Sequence, residues 1–291
     1  MKISSAALTA EQRCPPLVLA LQGEGTAYQH WLTVRDVPSH GRKTRAAGHT
    51  VDRGYHLLSD LETQFFLLAD FAPDVIDIRE QFPLLPIELT LQIAQEMGVR
   101  HPWDRKKDEQ VVMTTDFVLT RLDGACLPHY HAYSIKPSSR LTESRRRRKR
   151  TLEKLEIERR LWQSLNVPWT LVTEQAFNPI IIDNLHWLSY GARGVPPELL
   201  AQLSHFLERV ISLDHANLPL SQLLAIVADQ IGLEGQEDAQ QLFCHGVWTH
   251  HLQVDLSRPI SLTQPVRALQ AAQPSPAKER FTREQPESRH G

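Results

Sequence analysis

Hydrophobic and polar positions change rhythm along the chain, and the changes predict a mixed α/β region followed by a helical one. Residues 1–27 show no sustained period and are punctuated by Gly and Pro, so they read as an N-terminal arm. Order begins near Trp31. Ser59-x-x-Glu62 has the spacing of a capping box, and Leu61, Phe65 and Leu68 follow at helical intervals until Pro73 stops them. Residues 75–78 predict a short strand, 89–97 a second helix, and Arg105-Lys106-Lys107 a charged loop. The β-branched run 111–121 predicts a strand, and Asp123-Gly124 supplies a turn signal. The next strand, 129–136, is halted by Pro137; a strongly helical 151–165 and a strand at 169–173 follow. With the 89–97 helix set aside, the order is helix, three strands, helix, strand. One mixed sheet with helices on its two faces is the simplest architecture for that order.

Beyond Pro179 the apolar spacing shifts to threes and fours, predicting helices at 183–190, 197–212, 221–231 and from about Asp238. Leu252, Val254 and Leu256 then alternate as in a strand spanning 250–256. Several helices followed by a β-hairpin or wing suit a winged-helix-like module. From Gln264 the chain is rich in Gln, Pro, Ser and charge, a composition expected to be disordered in isolation. The expected organisation is an arm (1–27), a sheet domain (28–175), a winged-helix-like domain (176–263) and a tail (264–291).

Composition narrows the class. A chain of 291 residues, 41% hydrophobic and 23% charged, fits an ordinary globular protein of one large or two medium domains. No apolar run approaches the ~18 residues of a membrane span, and the N-terminus is too weakly apolar for a secretory signal. Cys14, Cys126 and Cys244 are scattered without a CxxC pair. They point to a reducing cytoplasm rather than to a disulfide framework or structural zinc. The net charge of −2 conceals a local excess: residues 136–160 hold eleven Lys/Arg against four Glu. Such a segment suits a protein that grips DNA at one place; a solvated loop beside a salt-bridged helix is the plainer alternative.

Chemistry concentrates between Glu62 and Glu158. Asp116 lies in mid-strand, where a carboxylate is costly unless it is paired, hydrogen-bonded or metal-bound. If 111–121 and 129–136 form a hairpin, Lys136 reaches the same sheet edge, flanked by Glu62 from the preceding helix and Glu158 from the following one. Carboxylates and a lysine converging in this way suit Mg²⁺, or Mn²⁺ in its place, and the in-line hydrolysis of a phosphodiester. The lysine would orient water and stabilise charge growing at phosphorus. Each residue has a structural alternative. Glu62 could simply complete the capping box, and Asp116 could pair with an arginine. Lys136 could be a solubilising strand end, and Glu158 an i,i+4 partner on a charged helix. His129 and His131 alternate on one strand but lack a third ligand at metal-binding spacing.

In several blocks the sequence resembles TnsA, the endonuclease family of heteromeric cut-and-paste transposases. The blocks are 31–39, 56–62, 77–86, Thr115-Asp116-Phe117, Ile135-Lys136-Pro137 and 151–160. A looser likeness runs through Asn178-Pro179 and 199–203, and the whole covers about residues 28–212. The resemblance implies a restriction-endonuclease-like domain followed by a winged-helix domain. It places the catalytic carboxylates on Glu62 and Asp116, the lysine on Lys136 and a further acidic position on Glu158. Glu62, Asp116 and the Ile135 carbonyl would hold the metal. It further implies cleavage of the 5′, non-transferred strands at transposon ends in double-stranded DNA. The implied partners are a DDE-type transposase (TnsB) and an ATPase regulator (TnsC), the latter at the C-terminal region; the setting is the bacterial cytoplasm, on the nucleoid. One departure is Ser134, where nucleases of this fold carry an acidic or amide side chain two residues before the lysine. Another is Arg145-Arg146-Arg147-Arg148-Lys149-Arg150, basic charge expected between strand and helix, where it could grip phosphates. A non-catalytic DNA-binding scaffold and a stand-alone restriction-type nuclease are the competing functions.

Overall fold

The computed structural model describes residues 23–35, 42–142, 144–213, 217–266 and 270–271. The arm before Gly23, Cys14, and most of the expected tail lie outside these residues. The chain divides into two compact units: residues up to Asp70 with Asp74–Ala176, and Phe71–Pro73 with residues from Phe177 onward.

In the first unit, β1 (Thr44–Ala47) and β2 (Gly54–Leu57) pair antiparallel as a small ribbon. Next come α1 (Asp60–Phe71), β3 (Val75–Pro83) and α2 (Ile87–Glu96). A two-stranded ribbon of β4 (Trp103–Asp104) and β5 (Glu109–Gln110) precedes β6 (Thr114–Leu122) and β7 (Pro128–Ile135). A short α3 (Ser138–Thr142), the long α4 (Arg145–Ser164) and β8 (Trp169–Val172) complete the unit. The main sheet has the order β3-β6-β7-β8, antiparallel at the first two interfaces and parallel at the third.

Side-chain alternation explains why helices cover both faces of this sheet. Phe117 and Tyr133 lie opposite each other, and both rings stand 4.9 Å from Phe65 of α1. The next pair, Val118 and Ala132, turns the other way into a core with Ile157, Leu161 and Trp162 of α4. The mixed sheet between helices is therefore as the sequence predicts. Differences lie in the details. The ribbons β1–β2 and β4–β5 are too short to generate a readable period. Strand β3 runs on past residue 78 to Pro83, because Arg79, Glu80 and Gln81 are buried despite their polarity. Arg53 makes this possible by pairing with the Glu80 carboxylate at 2.6 Å. The basic run at 145–150 is not a connector but the opening turns of α4.

The second unit is mainly helical: α5 (Pro179–Gly191), α6 (Pro197–Leu200), α7 (Leu203–Ser212), α8 (Leu220–Ile231) and α9 (Gln236–Trp248). Asn178 caps α5 by accepting the Ile180 N–H at 3.0 Å, with Pro179 at the first helical position. Gly191 lets α5 lie against α9, since a Cβ there would meet the Cys244 sulfur at 2.5 Å. The predicted strand 250–256 is reduced to β9 (Leu252–Gln253), which pairs with β10 (Gln270–Ala271). Asn184 replaces ladder bonds beyond it, donating to the Leu256 and Arg258 carbonyls and accepting the Ile260 N–H. The onset of the expected tail is also structured: Gln264 accepts the Leu220 N–H at 3.0 Å.

Candidate active site

The site forms where β6 and β7 part. Their register ends at Phe117 opposite Tyr133, after which β7 continues with β8 alone. The Ile135 N–H donates at 2.6 Å to Asp116 Oδ2. The Lys136 ammonium donates to the same oxygen at 2.6 Å. Asp116 is 8% exposed, whereas the Lys136 side chain remains one-third exposed at 33%. Asp116 is thus neither idle nor paired with an arginine: it ties the end of β7 to β6 and orients the lysine. Burial alone would lower the Lys136 pKa, but the charge and hydrogen bond of Asp116, with Glu158 and Glu62, raise it overall. The lysine is therefore an ammonium at neutral pH.

Glu62 comes from the first turn of α1. Ser59 Oγ accepts the Glu62 N–H at 3.2 Å and donates to Glu62 Oε1 at 2.9 Å, while Oε2 accepts the Leu58 N–H at 2.9 Å. The capping role is real, yet it does not use up the carboxylate, which also accepts the Gln81 amide at 3.1 Å. Burial, and then the Asp116 charge, push the Glu62 pKa up to about 7.

Glu158 approaches from α4 on the other face. It is 5% exposed, so the surface-partner alternative fails. Its Oε1 accepts the Ser134 hydroxyl at 2.5 Å, the Thr115 hydroxyl at 2.8 Å and the Trp169 indole N–H at 3.2 Å. Burial first and Asp116 second raise its pKa to about 7. The helix-borne carboxylate thus reaches the strand position where Ser134 stands in place of an acid.

Two participants escape sequence reasoning, and a third residue, Lys154, lies within electrostatic reach of Lys136. Gln81 reads as an ordinary polar residue, but it holds Glu62. Thr115 reads as a strand former, but its hydroxyl links Glu158 to the Trp162 indole, which donates to it at 2.7 Å. Lys154 looks like one charge among many. Its exposed side chain is partly desolvated and, after that, feels the charges of Arg150 and Lys136, which lower its pKa. Arg145 to Lys149 are exposed at the start of the same helix, whereas Arg150 is partly covered and bonds to Glu153 and the Arg100 carbonyl.

The donor set fits a hard divalent cation. Burial first and the Asp116 charge second raise Glu62, and a cation shared by the two carboxylates would offset that repulsion. Among the described residues no group of three or more His, Cys, Asp or Glu is placed to hold a metal. Main-chain and water oxygens would have to complete its coordination. His129 and His131 form no such group, and His131 instead stacks on Tyr133 and bonds to Thr170.

A mixed sheet between helices, with two carboxylates and a lysine where its central strands diverge, fits the restriction-endonuclease-like class of fold. Residues 72–174 match the family described as TnsA-like endonuclease N terminal. The chain is also 46% identical over 184 residues to the transposon Tn7 transposition protein TnsA of Escherichia coli. That alignment covers 63% of this chain and 64% of the relative, just under two thirds of the relative's length. Among the described residues no helix is long and apolar enough to cross a membrane.

Proposed function

We propose that the chain is a metal-dependent endonuclease subunit that hydrolyses phosphodiester bonds in the 5′, non-transferred strands at transposon ends during cut-and-paste transposition. The observation that carries this reading is the double use of Asp116 Oδ2, which binds the Ile135 N–H and the Lys136 ammonium, each at 2.6 Å, beside a second carboxylate whose pKa it raises. Glu62, Asp116 and the Ile135 carbonyl would hold Mg²⁺, with Mn²⁺ as a substitute, and the ion supplies Lewis-acid polarisation of the phosphate when bound. Lys136, kept protonated and aimed by Asp116, stabilises negative charge as the phosphorus becomes five-coordinate. Glu158 holds the end of β7 through Ser134 and so fixes where that ammonium points.

The remaining assignments follow the same reading. Arg145 to Arg150 and Lys154 bind backbone phosphates of double-stranded DNA. A DDE-type transposase of the TnsB kind processes the 3′ strands, and an ATPase regulator of the TnsC kind docks on the C-terminal region. The bundle α5–α9 with its short antiparallel ribbon supports a winged-helix-like role for the second unit. The setting is the bacterial cytoplasm, on the nucleoid.

A supercoiled plasmid carrying cognate ends, incubated with Mg²⁺ and the partner transposase, tests the proposal. Nicks confined to the 5′ strands should disappear with Glu62→Ala or Asp116→Ala while DNA binding persists. Nicks indifferent to both substitutions would sink it. Ser134, a hydroxyl where a third carboxylate would strengthen metal binding, favours a second reading as a non-cutting scaffold. That reading predicts assembly with the partner but no 5′ nicks in this assay.

A further inference from the structure

A left-handed, non-glycine residue inside a β-strand is uncommon, and Gln81 is one, with φ of 49°. Its neighbours Glu80 and Phe82 pair with Phe117 and Thr115, so Gln81 stands opposite Asp116. Both strands change facing at this point. On β3, Arg79 pairs with Val118 of the α4-side core, and Phe82, only three residues on, belongs to that same core. On β6, Thr115 bonds to Trp162 of α4 while Phe117 packs on Phe65 of α1, although residues two apart should share a face. Each strand therefore contains one residue assigned to neither face, and these two are Gln81 and Asp116.

The distortion redirects both side chains. That of Asp116 turns to the Ile135 N–H and Lys136. That of Gln81 turns to Glu62, donating from Nε2 to Oε2 at 3.1 Å. The Gln81 carbonyl accepts the Trp31 N–H at 3.3 Å, which restrains the unusual peptide from the other side. Gln81 is 2% exposed, so its amide has no solvent alternative to the carboxylate. Backbone strain of this kind persists only where the surroundings hold it, and it gathers at functional sites.

We propose that Gln81 is a positioning residue: its left-handed backbone aims a buried amide at Glu62, fixing the carboxylate in the orientation that faces Asp116 before a divalent cation arrives. This inference rests on the metal-dependent nuclease reading above. A merely structural amide would satisfy a buried oxygen without affecting how well the carboxylate pair binds a cation.

Mn²⁺ binding to the full-length chain, followed through the paramagnetic resonance signal of the free ion and without DNA or turnover, separates the two roles. Gln81→Asn keeps an amide and a residue type tolerant of the left-handed region, but its side chain is one methylene too short to reach Glu62. Gln81→Leu keeps bulk without a donor. Both should bind Mn²⁺ roughly tenfold to a hundredfold more weakly than wild type, the range for lost outer contacts to a ligand. Gln81→Asn should still melt cooperatively near the wild-type temperature. Wild-type affinity in Gln81→Asn, or a loss that only tracks a smaller folded fraction, would overturn the proposal. The nuclease reading fails separately: it falls if wild type does not bind Mn²⁺, or if Glu62→Gln/Asp116→Asn binds it normally. Normal wild-type binding, abolished in that double variant and unchanged in the Gln81 variants, would remove Gln81 alone.

Discussion

The two flanks of the site carry glutamates of similar burial and similarly raised pKa, yet they are held by different means. Glu62 on α1 is fixed mainly by its own helix start, through the Leu58 N–H and Ser59, and by one amide from β3. Glu158 on α4 is fixed by side chains alone, from Ser134, Thr115 and Trp169. Glu62 accepts from one main-chain N–H and from the Ser59 hydroxyl of its own helix start, and a glutamine in its place can still accept from both. Glu158 gathers three side-chain donors on one oxygen, and an apolar replacement leaves all three unsatisfied. The α1 flank is thus suited to chemistry, and the α4 flank to holding β6, β7 and β8 in place around it.

That contrast can be broken at several points. Asp116→Ala should reduce nicking by about a thousandfold or more, since it removes the partner of Lys136 and, on the proposed function, a metal ligand; gel assays of end-specific nicks check this, with binding measured in parallel. Glu158→Leu should lower cleavage by roughly tenfold to a hundredfold and also destabilise the fold by about 1–3 kcal/mol, because three buried donors lose their acceptor. Glu62→Gln should do the reverse, abolishing cleavage with little change in denaturant midpoint. A Glu158→Leu protein with unaltered stability would refute the distinction. Replacing Arg145, Arg146, Arg147 and Arg148 with Ala should weaken DNA binding about tenfold and flatten its dependence on log salt by about one unit per lost phosphate contact. Cleavage of saturated complexes should be nearly unchanged.

The mildest effect is on stability against pH. Glu62 and Glu158 titrate at about 7 in the folded protein against 4.5 ordinarily. The folded state therefore binds more protons than the unfolded chain across that window. Their contribution is fully present below the ordinary value and is lost as pH rises through about 7. Metal-free protein should melt progressively lower over this range, and Glu62→Gln or Glu158→Gln should flatten the slope. His131 acts oppositely. Burial, then Arg121 and His129, hold it at about 4 against 6.5, so its contribution is lost as pH falls between those values. Comparing variant with wild type, rather than reading one curve, isolates the carboxylates.

Much of this was legible in the sequence, for identifiable reasons. The sheet and its covering helices follow from long stretches whose periods are clear, such as 111–121 and 151–165. Asp116 stood out because a carboxylate is costly in mid-strand, and Lys136 because Pro137 marks the strand end beside it. The end of β3 was hidden because Arg79 and Glu80 are buried through partners remote in sequence, including Arg53 and Thr120. The shared oxygen of Asp116 depends on β6 and β7 parting, which no local pattern records. Gln81 was invisible for the same reason: its role comes from a backbone conformation that nothing in its immediate neighbours demands. In the second unit, ladder bonds expected along 250–256 are replaced by one asparagine seventy-odd residues earlier in the chain, beyond the reach of alternation.

On the proposed function, helix α4 would also act as a ruler. Arg146 and Glu158 are twelve residues apart on one uninterrupted rod, which sets them about 18 Å apart along its axis at 1.5 Å per residue. Measured against a rise of roughly 3.4 Å per nucleotide, that is about five steps of duplex. A footprint of the bound strand should therefore extend about that far to one side of the cut, and inserting one helical turn before Lys154 should lengthen it.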